Sequence, residues 1–223
     1  MKAFFITGTD TDVGKTLCSR ALLMAATKQK LTTLGYKPIA AGSEITSEGL
    51  RNKDALLLQA SSSVKLAYEY INPITLYQPI APHIAAHLEN KLIQLPALED
   101  AFTRIQQQAE IIIIEGAGGW RLPINTTQYL SQWVQHEKLP VILVVAMKLG
   151  CLNHAILTYE SILGDGLQVV GWIANQVQLT QMPFYQQNLD FIKRQINAPL
   201  IAEIPYIKHI VTADLGQYVN FEF

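Results

Sequence analysis

The stretch Thr7-Gly8-Thr9-Asp10-Thr11-Asp12-Val13-Gly14-Lys15-Thr16 constrains the fold more than any other in the chain. It follows the apolar run Ala3 to Ile6 and precedes an alanine- and leucine-rich segment, so a strand, a glycine loop and a helix succeed one another. Glycines let backbone N–H groups turn toward an anion, and the helix that follows offers its positive N-terminal end. The Lys-Thr pair adds a cation for phosphate and a hydroxyl for magnesium. Five residues separate Gly8 from Gly14 where the standard phosphate loop has four, which leaves Thr9 in the place of the first glycine. The plainer alternative is a strand-to-helix turn that carries Gly-Lys-Thr by chance; the flanking elements favour a phosphate cradle.

Around that loop, apolar runs alternate with helical patterns. Leu17 to Lys28 places Leu17, Ala21, Leu22, Met24 and Ala25 on a helical face without proline or glycine. Leu31 to Tyr36 predicts a second strand ending at Lys37-Pro38, where the proline biases the lysine toward an extended conformation. Ile39 to Ser47 reads as an ordered loop, and Asn52 to Ala60 as a helix with Asp54 in its first turn. Ser61 to Leu95 is broken by Pro73, Pro79 and Pro82 before a helix at His83 to Leu88. A helix over Pro96 to Ala109 leads to Ile111-Ile112-Ile113-Ile114, whose lack of alternation predicts a parallel strand covered on both faces. Glu115 emerges at its carboxyl end beside Gly116-Ala117-Gly118-Gly119.

Helices over Gln128 to His136, Ala155 to Leu163 and Pro183 to Ile196 then alternate with strands over Pro140 to Met147, Val169 to Ala174 and Pro199 to Ile204. Asn153 is a candidate cap for the helix after Met147, and backbone donors at Cys151 to His154 make its start a candidate anion receptor. The repeated order predicts an α/β, P-loop NTPase-like three-layer fold: a mostly parallel central sheet, right-handed crossovers and helices on both faces, with residues 1–223 as one domain.

Open parallel sheets bind ligands beyond the carboxyl ends of their strands, which makes Lys37 and Glu115 site candidates. On the residues alone each has a plainer reading: Lys37 as a solvated cation, Asp54 as a capping or dipole partner, Glu115 as a carboxylate accepting hydrogen bonds in a glycine turn. Beside a phosphate loop, Asp54 and Glu115 become candidate magnesium contacts. His83 and His87 have i, i+4 spacing but lack the Glu of a zinc-protease helix and any third ligand, which argues against zinc. A net charge of -1 argues against a general nucleic-acid or anionic-membrane partner. No stretch approaches a membrane span and no signal-peptide cleavage pattern follows Met1-Lys2, so the expected location is cytoplasmic. Cys18 and Cys151 form neither a disulfide framework nor a paired metal spacing, and are expected to be reduced and buried.

Six segments together carry a resemblance. They are the lengthened loop Gly8 to Thr16, Gly35-Tyr36-Lys37-Pro38, Gly49 to Ala55, Glu115-Gly116-Ala117-Gly118-Gly119-Trp120, Leu139 to Val145, and Lys148-Leu149-Gly150-Cys151-Leu152-Asn153-His154. Over nearly the whole chain they resemble the dethiobiotin synthetase family, whose loop has the same extra residue. The resemblance implies a cytoplasmic homodimer that turns 7,8-diaminononanoate, CO2 or bicarbonate, and ATP with Mg2+ into dethiobiotin, ADP and phosphate, the penultimate step of biotin biosynthesis. A carbamate and then a carbamic-phosphoric anhydride are the implied intermediates.

Residue by residue, the resemblance implies that Thr11, Asp12, Val13, Gly14, Lys15, Thr16 and Leu17 hold the nucleotide and that Thr16, Asp54 and Glu115 hold Mg2+. Gly116, Ala117 and Gly118 are implied to lie near ligand, Asn175 to contact the adenine, and Gln176 with Pro205-Tyr206-Ile207 to flank it. Lys37 and Lys15 take catalytic roles, and Lys37 and Ala41 face the substrate. Gly150, Cys151, Leu152 and Asn153 are implied to receive the substrate carboxylate across the dimer interface.

This chain departs from the family pattern in places. Ala41 stands where a serine or threonine hydroxyl is expected, so backbone or Ser43 would substitute. Lys208 to Asp214 matches poorly, which leaves nucleotide contacts after Ile207 open. A tyrosine expected after Asn175 corresponds to Tyr185 or to no residue here, and Arg51 and Asn52 have no assigned role. Competing readings are a regulatory or partitioning ATPase and a small-molecule kinase. The former usually carries an early loop lysine where Thr9 and Asp10 stand; against the latter, the chain has only five arginines and no arginine-rich lid.

Overall fold

Apolar strands pair on both sides because their backbone groups, once away from water, need partners. In the computed structural model, which describes residues 1–223, the chain begins with β1 (Lys2–Gly8), α1 (Lys15–Lys28), β2 (Thr33–Tyr36) and β3 (Ile39–Ala40). A hairpin of β4 (Glu44–Thr46) and β5 (Gly49–Arg51) follows, then α2 (Lys53–Ser61), α3 (Tyr68–Ile71), β6 (Ile74–Thr75), α4 (Pro82–Leu88) and α5 (Leu95–Thr103). The second half runs β7 (Ile111–Glu115), α6 (Leu130–His136), β8 (Val141–Ala146), α7 (Cys151–Gly164), β9 (Val169–Asn175), α8 (Tyr185–Gln195) and β10 (Leu200–Ile204), with a short 3-10 turn at Leu215–Tyr218.

The main sheet has the order β10-β9-β8-β1-β7-β2 and is parallel throughout. Its isoleucine run alternates between two cores. Ile112 and Ile114 pack with Phe5, Phe102 and Trp133 on one face, whereas Ile111 and Ile113 pack with Phe4, Ile6 and the α1 residues Cys18, Ala21 and Leu22 on the other. Both faces of the strand are therefore apolar, as expected from the absence of alternation.

Two expected elements differ. Ile39 to Ser47 contains β3 and the first strand of the hairpin rather than loop alone. The hairpin is largely exposed on both sides, so it has no apolar periodicity to betray it. It turns at Ser47-Glu48, Gly49 enters β5 with φ +102, and Thr46 Oγ1 donates to the Gly49 carbonyl at 2.8 Å. The helix expected to reach Ala109 ends at Thr103, because tighter i→i−3 bonds from Ile105 to Phe102 and from Gln108 to Ile105 turn the chain into β7.

Gly35 on β2 sets how closely α2 approaches the sheet. An added Cβ would lie 2.8 Å from Leu58 Cβ and 3.2 Å from the Leu58 carbonyl oxygen. The Gly35 N–H also donates to Ser62 Oγ at 2.8 Å. Gly35→Ala is expected to push α2 outward and cost about 1–3 kcal/mol, read as a lower urea midpoint; an unchanged midpoint would show that α2 is not seated there.

Candidate active site

Strand register brings distant residues to one edge. Tyr36 pairs with Ile114, Ile6 with Glu115, Gly8 with Val144, and Ala146 with Asn175. Lys37, one residue past Tyr36, therefore faces Glu115, and the glycine loop and Asn175 lie on the same rim. A cavity of about 940 Å³ opens there. Its walls include Thr11, Asp12, Gly14, Lys15, Thr16 and Leu17 from the loop, with Lys37, Ala41, Asp54, Glu115, Ala117 and Gly118. Asn175, Gln176, Val177, Tyr206, Ile207 and Ile210 close another part of it.

Gly14 is the residue before α1 and has φ +87; an added Cβ would fall 2.1 Å from Asn175 Nδ2. Both the dihedral and the neighbour therefore require glycine. Asn175 Nδ2 donates to the Val13 carbonyl at 2.8 Å, which fixes the amide and leaves the buried Oδ1 as an acceptor without a partner. Helix α1 has no side-chain cap, so its first N–H groups and its dipole favour an anion. Lys15 Nζ donates to the Asp10 carbonyl at 2.9 Å. Burial lowers the Lys15 pKa to about 8, the Lys37 ammonium pushes the same way, and Glu115, Asp54 and Asp12 oppose them.

The centre of the site is a buried ion pair. Lys37 is 4% exposed and Glu115 1%, and Lys37 Nζ donates to Glu115 Oε1 at 2.7 Å. Thr16 Oγ1 donates to the same oxygen at 2.9 Å, and Asp54 Oδ2 lies 3.7 Å from Lys37 Nζ. Burial works against the ammonium, but Glu115 and Asp54 together outweigh it and hold Lys37 above the ordinary lysine value. The backbone there is fixed as well: the Lys37 N–H donates to the Ile71 carbonyl at 2.8 Å, and its own carbonyl accepts from Asn72 Nδ2 at 2.7 Å.

Asp54 is held from the start of α2. The Asn52 side chain accepts from the N–H groups of Asp54 and Ala55 at 3.0 and 3.2 Å, an N-cap that fixes the first turn. Asn52 Nδ2 donates to the Ala41 carbonyl at 3.2 Å, its N–H donates to Tyr68 Oη at 2.7 Å, and the Arg51 guanidinium sits 4.4 Å over the Tyr68 ring. Arg51 and Asn52, without an assigned role in the sequence, hold Asp54 in place.

Magnesium suits hard oxygen donors and keeps waters and phosphates in its shell. Thr16, Asp54 and Glu115 are such donors, and Glu115 Oε2 is buried without a hydrogen-bond partner. No group of three or more His, Cys, Asp and Glu residues forms a metal cage, so phosphate and water would complete the shell.

Several sequence-derived candidates are not on these walls. Val13 is buried beneath the loop, Gly116 is buried behind Glu115 with its N–H on the Ile6 carbonyl at 2.9 Å, and Pro205 is exposed. Gly150, Cys151, Leu152 and Asn153 lie at the start of α7, on the same strand-end edge but outside the cavity. Asn153 does not cap that helix. Gly150, with φ +93, is its N-cap, and the Cys151 N–H closes the turn on the Lys148 carbonyl at 3.0 Å, leaving Asn153 inside the first turn.

Ser43 is buried beside the hairpin without an Oγ partner and does not line the main cavity, whereas Ala41 does. Tyr185 packs in the core. Both cysteines are free and buried. The walls also contain Pro79-Ile80-Ala81-Pro82, Leu122, Val177 and Ile210, none of which the sequence marked as a site residue. The prolines showed only as breaks in periodicity.

A family model described as an AAA domain matches residues 2–214. Among solved structures, a ParA family ATPase from Chlorobium tepidum superposes with TM-score 0.58 at 15% identity, covering 98% of this chain and 90% of that one. The septum site-determining protein MinD from Pyrococcus horikoshii gives 0.56 at 13% identity, covering 97% and 92%. These likenesses establish the P-loop fold alone. The ATP-dependent dethiobiotin synthetase BioD of Vibrio parahaemolyticus is 50% identical over 220 residues, spanning 99% of this chain and 96% of that protein. That of Aliivibrio fischeri is 46% identical over 220 residues, spanning 99% and 97%. With half its residues shared over nearly its full length, this chain belongs to the dethiobiotin synthetase family.

Proposed function

We propose that this protein is an ATP-dependent dethiobiotin synthetase, a cyclo-ligase of biotin biosynthesis that joins 7,8-diaminononanoate and CO2 with release of ADP and phosphate. The observation that carries the reading is the meeting of Lys37, Thr16 and Glu115 on one carboxylate oxygen beside the phosphate loop. A switch ATPase has no use for a buried lysine at that junction.

The reaction has three bond-forming steps. An amine nitrogen of the substrate bonds to the carbon of CO2 and loses a proton, giving a carbamate. A carbamate oxygen then attacks the γ-phosphorus as the bond to ADP breaks. Finally the second amine attacks the carbonyl carbon, loses its proton and expels phosphate as the ring closes. Phosphoryl transfer of this kind depends on position and on fixed opposing charge.

In this reading Thr11 to Leu17 surround the phosphates, and Lys15 exchanges the Asp10 carbonyl for phosphate oxygens. Lys37 holds the carbamate and the transferring phosphoryl group with its fixed charge, next to Ala41. Thr16, Asp54 and Glu115 hold Mg2+, which neutralises phosphate charge when bound. Gly116 to Gly118 back the phosphates, and Asn175 Oδ1 accepts from the adenine amino group with Gln176, Pro205, Tyr206 and Ile207 around the base. The chain works as one domain in a cytoplasmic homodimer; no helix is long and apolar enough to cross a membrane. A second copy brings Gly150, Cys151, Leu152 and Asn153 to the substrate carboxylate. Supporting this, the α7 start lies on the strand-end edge beside Leu149, which is 94% exposed.

Three outcomes follow from these roles. Lys37→Ala is expected to lower dethiobiotin formation about 10²–10³-fold while ATP binding persists; a full rate would remove Lys37 from the mechanism.

In the free protein Lys15 is charged below about pH 8 and neutral above it. Phosphate favours the charged form, so ATP affinity is full below that value and falls as pH rises, approaching about tenfold per unit. Calorimetry in buffers of different ionisation enthalpy should detect proton uptake on binding at pH 9, and a flat affinity from pH 7 to 9.5 would place Lys15 off the phosphates.

Mixing Lys37→Ala with Asn153→Asp, each inactive alone, should restore up to roughly a quarter of wild-type activity through hybrid dimers with one intact site. No recovery after subunit exchange would place each site within a single chain.

A further inference from the structure

Arg20 lies on α1, six residues past Gly14, and is 3% exposed. Its donors go to neutral oxygens: Nε to Ser61 Oγ at 2.9 Å, one terminal nitrogen to the Ile210 carbonyl and the other to the Val211 carbonyl at 3.3 Å. No nearby charge offsets the burial that lowers its pKa. An unpaired buried cation is costly, so what it holds is informative.

What it holds is one wall of the cavity. From Pro205 to Ala213, where the one regular feature is a tight turn at residues 210–212, no backbone–backbone hydrogen bond joins the chain to the rest of the protein, and the two carbonyls taken by Arg20 are its only hydrogen bonds to it. Within that span Tyr206, Ile207 and Ile210 line the cavity beside Asn175, Gln176 and Val177. Ile207 and Ala213 also pack against the core on the α1 side, but the next polar attachment, Lys28 to Asp214 at 2.6 Å, has both side chains about half exposed and lies beyond the lining residues. Exposed pairs of this kind constrain little. Arg20 itself is not on the wall, so it acts through the segment it ties down.

We propose that Arg20 is a positioning residue that fixes the Pro205 to Ala213 segment as the wall against the nucleoside end of ATP, and so sets the enzyme's affinity for nucleoside rather than for triphosphate. This rests on reading the cavity as the ATP site. Its later part, from Lys208 on, is where the sequence departs from the family pattern; a side chain from α1 supplies the order there that a backbone ladder supplies elsewhere in the fold.

The test uses the full chain with Arg20→Ala, Arg20→Lys and Ser61→Ala, measuring kcat, KM for ATP, KM for the diamine and inhibition by inorganic tripolyphosphate, which lacks a nucleoside. Loss of the two carbonyl bonds in Arg20→Ala is expected to raise KM for ATP roughly tenfold. The value of kcat at saturating ATP should stay within about twofold, since the phosphate end is untouched. The diamine KM and the tripolyphosphate inhibition constant stay at their wild-type values, and amide exchange quickens across residues 205–213.

Arg20→Lys, which keeps the charge and can reach one carbonyl, and Ser61→Ala, which frees Nε alone, should each raise KM for ATP less than Arg20→Ala does. Should Arg20→Ala fail to fold, Arg20→Lys carries the test with a severalfold rise. An unchanged KM for ATP, or an equal loss of tripolyphosphate inhibition, overturns the proposal, the second by showing that Arg20 acts through the phosphate loop. A wild-type chain that makes no dethiobiotin from ATP overturns the functional reading first, and this inference with it.

Discussion

The buried contact between Lys37 and Glu115 is the constraint on which the rest of the site depends. Removing two charges from water costs several kcal/mol each, and their attraction returns that cost only when geometry and further hydrogen bonds are good. Here the geometry comes from the sheet. The pairing of Tyr36 with Ile114 sets the two strand ends level, and Thr16 adds a second donor to the oxygen that Lys37 uses. A slip of one residue in β2 would turn Lys37 to the other face, because side chains alternate along a strand. The pair therefore contributes little to stability by itself, while the strands that stabilise the protein fix it in position.

Two lysines share this cavity, and their surroundings push them in opposite directions. Lys15 is lowered to about 8 by burial and by Lys37, whereas Lys37 is raised because two carboxylates outweigh its own burial. Lys37 is thus a permanent charge, already paid for in the folded state, and Lys15 is one that an arriving anion can complete. That division suits a reaction in which charge builds up on a transferring phosphoryl group. A donor that is fixed before the reaction needs no reorganisation when charge develops, and a donor recruited by the phosphates strengthens binding only when they are present.

The parts of this structure legible in the sequence are those whose signal is local or periodic. The glycine loop, the isoleucine strand with Glu115 at its end, and Lys37 before Pro38 each sit in a pattern that a few neighbouring residues define. The hairpin of β4 and β5 has no such pattern, since exposed strands need no apolar alternation. Asn153 has the chemistry of a cap, yet Gly150 in a left-handed conformation begins the helix three residues earlier. Arg51, Asn52 and Tyr68 form one network that joins the end of β5 and the cap of α2 to α3, and Arg20 reaches carbonyls about 190 positions away. Contacts of that range depend on the assembled fold, and no spacing along the chain announces them.

The likeness to ParA and MinD proteins at 13–15% identity shows how much of this architecture is independent of the chemistry. A parallel sheet with a glycine loop at its edge presents N–H groups, a lysine and a hydroxyl to a triphosphate whatever reaction follows. What can differ is the set of segments leaving the other strand ends. Here Lys37 leaves β2, Glu115 leaves β7, Asn175 leaves β9, and the segment after β10 folds back onto α1 beneath Arg20. Beyond the main sheet these segments are held by the short β3–β6 pairing after β2, by single backbone bonds and by a few named side chains. A change in one can therefore alter what the edge binds without disturbing the strands, which are buried on both faces and tolerate little. In the proposed site, specificity would rest on these segments, where Asn52 holds the Ala41 carbonyl and Arg20 the carbonyls of Ile210 and Val211.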